Sequence, residues 1–291
     1  MIERIGELVS SRDETMLKMW RVNVEAGKRP YRRHCHTQFE ISLIVNGEGE
    51  YTTKRNKFHM KKGDIIIFSS NELHNISEVG KDGLSIINLH FEPRYLSGSK
   101  SDLLGQGYMN FCFIHSHSFN NLINAEDATP IRKLVEQIKD ELTQKGAEYK
   151  LAIKSYINLI MILLIREFNY KSDEQLPTAQ LSNMLKATKY IDRNISEKLS
   201  LDDISSVAGM SPNYFSTLFK QLNGTALWDY ISAKRIEKAI GLILGDGEDM
   251  TMLSVALECG FNSTASFNRI FKKQTGMTPT QFKNTGDVLL Y

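Results

Sequence analysis

The sequence is poor in the features that mark several large classes of protein. It has three cysteines, Cys35, Cys112 and Cys259, far apart and odd in number. That argues against a disulfide framework and fits a reduced, intracellular chain of the cytoplasm. It has no long apolar run. The most apolar stretch, Ile157 to Ile165, is flanked by Lys154 and Arg166 and falls far short of the roughly 20 residues that span a bilayer. It reads as a buried helix, and no membrane partner is expected. The start, Met1-Ile2-Glu3-Arg4-Ile5-Gly6-Glu7, lacks the basic residues and apolar core of a signal peptide. Charge of one sign is also missing, since the formal net charge is only +2. Non-specific packaging of DNA, which rests on neutralising phosphates, is disfavoured. No histidine occurs after His117, so histidine chemistry is confined to the N-terminal half.

What is present divides into two styles of sequence. The 291 residues, 41% hydrophobic, suit about two soluble domains. From about Trp20 to Ile114, short apolar runs alternate with turn signals. Phe39 to Val45 reads as a strand closed by Asn46-Gly47-Glu48-Gly49, with Glu50 to Thr53 pairing back as a hairpin. Ile65 to Phe68 and Leu84 to Phe91 read as further strands. Many short strands suggest a barrel or jelly roll. The period changes after Pro130. Leu134, Val135, Ile138 and Leu142 fall at helical spacing, with Gly146 as the stop, and a more apolar helix follows from about Tyr149 to Tyr170. The polar stretch Lys171 to Thr178 reads as a linker. Beyond it lie short helices punctuated by Gly and Ser.

That last part repeats itself. Ile204 to Ser211 and Val255 to Ser263 each read as a short helix, a glycine (Gly209, Gly260), then a serine able to cap the next helix. Phe215 to Gln221 and Phe267 to Lys273 each place two phenylalanines at i and i+4, the buried stripe of a second helix. Gly224 and Gly276 close the copies, and the second has one extra residue in its turn. Ile231 to Leu244 reads as a helix joining them. The opposite face of each second helix is free to enter a major groove, which admits one helix. In the first copy that face offers Asn213, Ser216, Thr217 and Lys220. In the second it offers Thr264, Ser266, Asn268, Arg269, Lys272 and Lys273. Arg269 has the fork that reads a guanine edge and Asn213 can read adenine, whereas the lysines suit phosphates. The partner implied is double-stranded DNA, contacted in two segments about one helical turn, roughly 10 base pairs, apart.

These residues closely resemble the AraC family of regulators over about Met184 to Lys283. The pattern of that family is matched by Gly209, Phe219-Lys220, Gly224, Tyr230 and Arg235. It is matched again by Gly260-Phe261, Ser263, Phe267, Phe271-Lys272-Lys273, Gly276 and Thr278-Pro279. Ser205, Trp228 and Phe282-Lys283 depart from it without touching the reading helices. The resemblance implies a sequence-specific transcription regulator and no enzyme. It also implies an N-terminal effector domain, a small-molecule effector such as a sugar, and a homodimer.

The N-terminal half adds a histidine cluster. His34-Cys35-His36, Glu40 and Gly47, then Gly63-Asp64 and His74, resemble the two cupin motifs, with Ser69 and Asn71 departing from the second. His34, His36 and Glu40 share parity on an extended strand and so face one side. With His74 they are candidates for the effector pocket, and Tyr31 lies near its mouth. The same four, His34, His36, Glu40 and His74, would suit a divalent transition metal, although no cofactor is required. The alternative function is therefore a metal-dependent cupin enzyme fused to a DNA-binding module. His59, His90, His115 and His117 read as ordinary surface or core histidines.

The expected fold is α+β and multidomain. A cupin-like barrel or jelly roll spans 1–125, and two helices forming a dimerisation and relay segment span 126–171. A linker spans 172–181, and an all-α domain of two helix-turn-helix units joined by a linker helix spans 182–291.

Overall fold

The structure, a computed structural model, describes residues 2–9, 15–26, 36, 38–53, 56–70, 72, 74–96, 119–170, 178–223, 225–244 and 250–285. Contacts divide the chain into two compact units, Met1–Arg33 with Gln38–Leu176, and His34–Thr37 with Pro177–Tyr291.

The first unit is an antiparallel sheet backed by two helices. Its strands are β1 (Ile2–Val9), β2 (Thr15–Val24), β3 (Phe39–Thr53), β4 (Lys57–Lys61), β5 (Ile65–Phe68), β6 (His74–Phe91) and β7 (Leu122–Ile123). Among the described residues the order is β1-β2-β6-β3-β5-β7, with β4 also on β3. The helices are α1 (Thr129–Gln144) and α2 (Tyr149–Glu167). Side-chain alternation explains the packing. Phe39, Ile41 and Leu43 of β3 join Ile87, Leu89 and Phe91 of β6 in one core with Ile131, Val135 and Ile138 of α1 and Ile153, Ile157 and Ile160 of α2. Each such side chain contributes about 1.5–3 kcal/mol by leaving water. The intervening residues of the same strands, Glu40, Ser42, Asn88 and His90, fall on the opposite side.

Three expectations are corrected here. The strand region begins before Trp20, because β1 and the first part of β2 precede it. Asn46 to Gly49 is not a hairpin turn. β3 runs unbroken for 15 residues and pairs with β6 from Phe39↔Phe91 to Thr53↔His74, with register shifts at Ile44/Asn46, Gly47/Gly49 and Glu50/Tyr51. Gly47 serves a close crossing instead: its φ is +80°, and a Cβ there would lie 2.0 Å from the Gly83 carbonyl oxygen. An Asn-Gly pair is a turn signal only where the chain is free to reverse. Finally, α1 ends at Gln144, two residues before Gly146. Lys145 takes the left-handed conformation (φ 51°) and its N–H donates to the Glu141 carbonyl.

The second unit is helical: α3 (Thr178–Arg193), α4 (Leu201–Val207), α5 (Pro212–Asn223), α6 (Leu227–Leu244), α7 (Met252–Glu258), α8 (Thr264–Thr275) and α9 (Pro279–Thr285). The expected linker at 172–181 overlaps α3 from Thr178, and the joining helix α6 starts four residues earlier than Ile231. Ile236, Ala239, Ile240 and Ile243 of α6 share a core with Val255, Ala256, Phe267, Phe271 and Phe282.

Candidate functional site

The two repeats fold alike down to single hydrogen bonds. α4 begins under the Ser200 hydroxyl, which accepts from the Asp203 N–H, and α7 begins under Thr251, which accepts from the Ser254 N–H. Such caps contribute about 1 kcal/mol each. Both helices end on a left-handed glycine, Gly209 (φ 62°) and Gly260 (φ 80°). The next residue then reaches back, Met210 N–H to Ser205 O and Phe261 N–H to Ala256 O. Ser263 caps α8 by accepting from the Ser266 N–H. Gly224 lies outside the described residues.

The second helix of each repeat is anchored by the same aromatic set. Phe215 lies 5.6 Å from Phe219, and Phe267 lies 5.5 Å from Phe271, between ring centroids. Phe219 then packs edge-on against Tyr230, and Phe271 against Phe282. All four helix phenylalanines are fully buried. The faces opposite are open. Asn213, Thr217 and Lys220 are exposed on α5, with Ser216 half-buried, and Asn268, Arg269, Lys272 and Lys273 are exposed on α8, with Thr264 and Ser266 half-buried. The Thr217 hydroxyl donates to the Asn213 carbonyl of its own helix, which leaves it an acceptor outward. Two exposed residues on these faces were missed from sequence. Tyr214 is 45% exposed and its hydroxyl accepts from Gln180 Nε2 at 2.8 Å. Ala265 is exposed beside Asn268 and Arg269. Neither type stands out locally, since tyrosine and alanine also fill cores.

Two cations on α6 serve structure. Arg235 Nε donates to the Ile195 carbonyl at 2.8 Å and Nη2 to that of Glu197 at 2.7 Å. Lys238 Nζ donates to the Ser196 hydroxyl and to the Glu258 carbonyl. Together they tie α6 to the segment after α3 and to the end of α7.

In the first unit the buried polar group centres on Glu40. Both His74 Nε2, at 3.3 Å, and His90 Nε2, at 3.0 Å, face the same oxygen, Oε2. Ser42 Oγ donates to the other oxygen at 2.5 Å and lies 2.7 Å from Asn88 Oδ1. All three charged or chargeable groups are under 5% exposed. Aromatic rings wall them: Phe68 stacks on His74 at 3.9 Å, and Trp20 meets His90 edge-on at 4.5 Å. His74 Nδ1 lies 2.8 Å from the Glu72 carbonyl. A carbonyl only accepts, so Nδ1 carries hydrogen and Nε2 is left for Glu40. Burial pushes the His74 pKa down, but the charge and hydrogen bond of Glu40, with help from Glu72, outweigh it and hold it above the ordinary histidine value.

Of the residues expected in this group, the structure brings Glu40 and His74 together. His34 and Tyr31 lie outside the described residues, whereas half-buried His36 belongs with the group, since ligand atoms of His36, Glu40 and His90 all lie within 4.8 Å of one another. His90 was read as an ordinary histidine and instead shares the carboxylate. His59 is exposed and lies 3.5 Å from Glu48, while His115 and His117 lie outside the described residues.

Comparison with known proteins agrees with both halves. Residues 25–161 match the AraC-like ligand binding domain, and residues 204–285 match a helix-turn-helix domain. The probable transcriptional regulator LumQ of Photobacterium leiognathi is 25% identical over 267 residues, which cover 91% of this chain and 96% of that protein. The uncharacterized regulator YdeC of Bacillus subtilis is 24% identical, covering 86% of this chain and 85% of its own. A regulator from Staphylococcus aureus strain COL is 26% identical over 84% of this chain, which spans only 31% of that longer protein. Among solved structures, ToxT of Vibrio cholerae bound to an unsaturated fatty acid has the same fold, with a TM-score of 0.66 at 13% identity over 92% of this chain and 95% of its own. With two matched domains in the family's order and a repeat that keeps the same caps, glycines and aromatic pairs, the chain belongs to the AraC family of transcription regulators, a ligand-binding domain followed by a helix-turn-helix DNA-binding domain.

Proposed function

We propose that α5 and α8 read two segments of one duplex DNA site, and that a small polar metabolite held inside the strand domain regulates this binding. The observation that carries the first half is the repetition of one design: a phenylalanine pair inward and a polar, cationic face outward, in both α5 and α8. Arg269 reads a guanine, Asn213 reads a base edge in the other segment, and Lys220, Lys272 and Lys273 hold phosphates. The effector site is centred on Glu40, His74 and His90. ToxT binds a fatty acid. The group here, a carboxylate between two imidazoles with Ser42 and Asn88 beside it, supports hydroxyl-bearing ligands such as a sugar over an alkyl chain. The protein acts in the cytoplasm as a homodimer. Support for self-association comes from α2, where Leu151 and Leu159 are 61% and 47% exposed at positions two turns apart on one face.

Selection of bound sequences from random duplex DNA tests this reading. The expected result is a motif of two segments about one helical turn, roughly 10 base pairs, apart. Arg269→Ala should relax preference in one segment only. No enrichment, either by the whole chain or by residues 178–291, would overturn it.

A further inference from the structure

The Glu40 group does not end at His74. Glu72, whose carbonyl accepts from His74, sits in the turn between β5 and β6. Its carboxylate accepts from the Ser69 N–H at 3.0 Å and from Asn121 Nδ2 at 2.9 Å. The Ser69 hydroxyl lies 2.9 Å from the Tyr170 hydroxyl, 101 residues further along the chain. Ser69 and Asn121 are buried, and Tyr170 is fully buried. Its ring is held edge-on between Phe39, at 6.0 Å, and Phe119, at 4.8 Å. Tyr170 closes the chain just beyond α2, where its N–H donates to the Leu164 carbonyl at 3.1 Å. Eight residues later the second unit's α3 begins at Thr178.

We infer that Tyr170 is the positioning residue through which the Glu40 group acts on the end of α2. The inference rests on the reading of that group as the effector site. Its physical basis is a line of contacts, an ion pair from Glu40 to His74 and hydrogen bonds on through Glu72 and Ser69 to Tyr170. His74, Ser69 and Tyr170 are buried and Glu72 is half-buried, so losing the buried partners' bonds carries a cost. A ligand that draws His74 away from Glu40 shifts the turn that carries Ser69, and with it the partner of the Tyr170 hydroxyl. Tyrosine suits this place because its ring is gripped by the core while its hydroxyl answers to a polar group.

The test uses the full chain and two conservative changes at opposite ends of the line. His74→Asn keeps an amide donor for the Glu72 carbonyl and removes the arm that reaches Glu40. Tyr170→Phe keeps the ring and removes the hydroxyl. Hydrogen exchange of the Tyr170 amide is read by mass spectrometry, and affinity is measured for the duplex recovered from random-sequence selection. His74→Asn should speed exchange at Tyr170 by about tenfold, the worth of roughly one buried hydrogen bond. Tyr170→Phe should do the same, and the double variant should be no faster than Tyr170→Phe alone, since both cut one line. Additive effects, or exchange in His74→Asn raised only in β3, β5 and β6, would overturn the inference. Ser69→Ala, which leaves both ends intact, must reproduce the Tyr170→Phe result. If exchange responds as described while all variants bind DNA as the parent does, the coupling to α2 stands and the effector-regulated reading falls.

Discussion

Arg235 reaches across the second unit to bond the Ile195 carbonyl, 40 residues away in sequence, at 2.8 Å. Its guanidinium also lies 5.9 Å from the Phe261 ring, so one side chain fixes the joining helix against both repeats. Arg235→Ala should lower the stability of this unit by about 2–3 kcal/mol, as expected for losing charge-assisted hydrogen bonds. DNA affinity should fall with it, although Arg235 is not on a reading face. Calorimetry and a binding titration check this. A variant that melts normally but binds DNA weakly would instead make Arg235 a contact.

The two turn glycines should respond differently to alanine. At Gly209 the backbone is left-handed but a Cβ would meet open space. Gly209→Ala should therefore cost about 1–2 kcal/mol. At Gly260 a Cβ would also lie 2.8 Å from the Ile195 and Ser196 carbonyl oxygens, adding about 1–3 kcal/mol of overpacking. Chemical denaturation of the pair should rank Gly260→Ala as the more damaging. Equal losses would mean the conformational cost alone decides.

Arg269 and Lys272 are neighbours on the exposed face of α8 but should fail in different ways. Lys272→Ala should weaken binding to all sequences alike and reduce the salt slope by about 1. Arg269→Ala should cost roughly 1–3 kcal/mol on the preferred site and much less on others. Titrations at several salt concentrations, on selected and random duplexes, separate the two.

Much of this was legible in the sequence, for a reason that the repeat makes plain. Phe215 with Phe219 and Phe267 with Phe271 are local signals, four residues apart, and a helix converts that spacing directly into one buried face. The glycines and caps are equally local. His90 was not legible because nothing near it marks it. Its tie to Glu40 depends on the register of β3 against β6, which pairs residues 50 apart, and register is set by the whole sheet. Asn46-Gly47 was misread for the related reason that its crossing partner, Gly83, lies on another strand. Arg235 carried the family pattern, but its carbonyl partners at Ile195 and Glu197 have no side-chain signature.

The pH response of the first unit should come from His74. Its pKa is raised in the folded state. The stabilisation it contributes is thus fully present below the unfolded value, about 6.5, and is lost as pH rises through the folded value. Stability of the first unit should therefore fall as pH rises above about 6.5, and His74→Asn should flatten that dependence. Thermal scans over the range decide it. An unchanged slope in His74→Asn would assign the effect to another group.

His74 and His90 sit at opposite ends of β6, 16 positions apart on a strand that spans His74–Phe91. Drawn out straight at about 3.3 Å per residue they would stand ~50 Å apart. Both nevertheless touch one oxygen of Glu40, at 3.3 and 3.0 Å. The ribbon of β3 and β6 is therefore a hoop, and a single carboxylate is its clasp. Widening the hoop would draw the two imidazoles away from the oxygen they share, so the curl of the sheet and the buried ion pairs depend on each other.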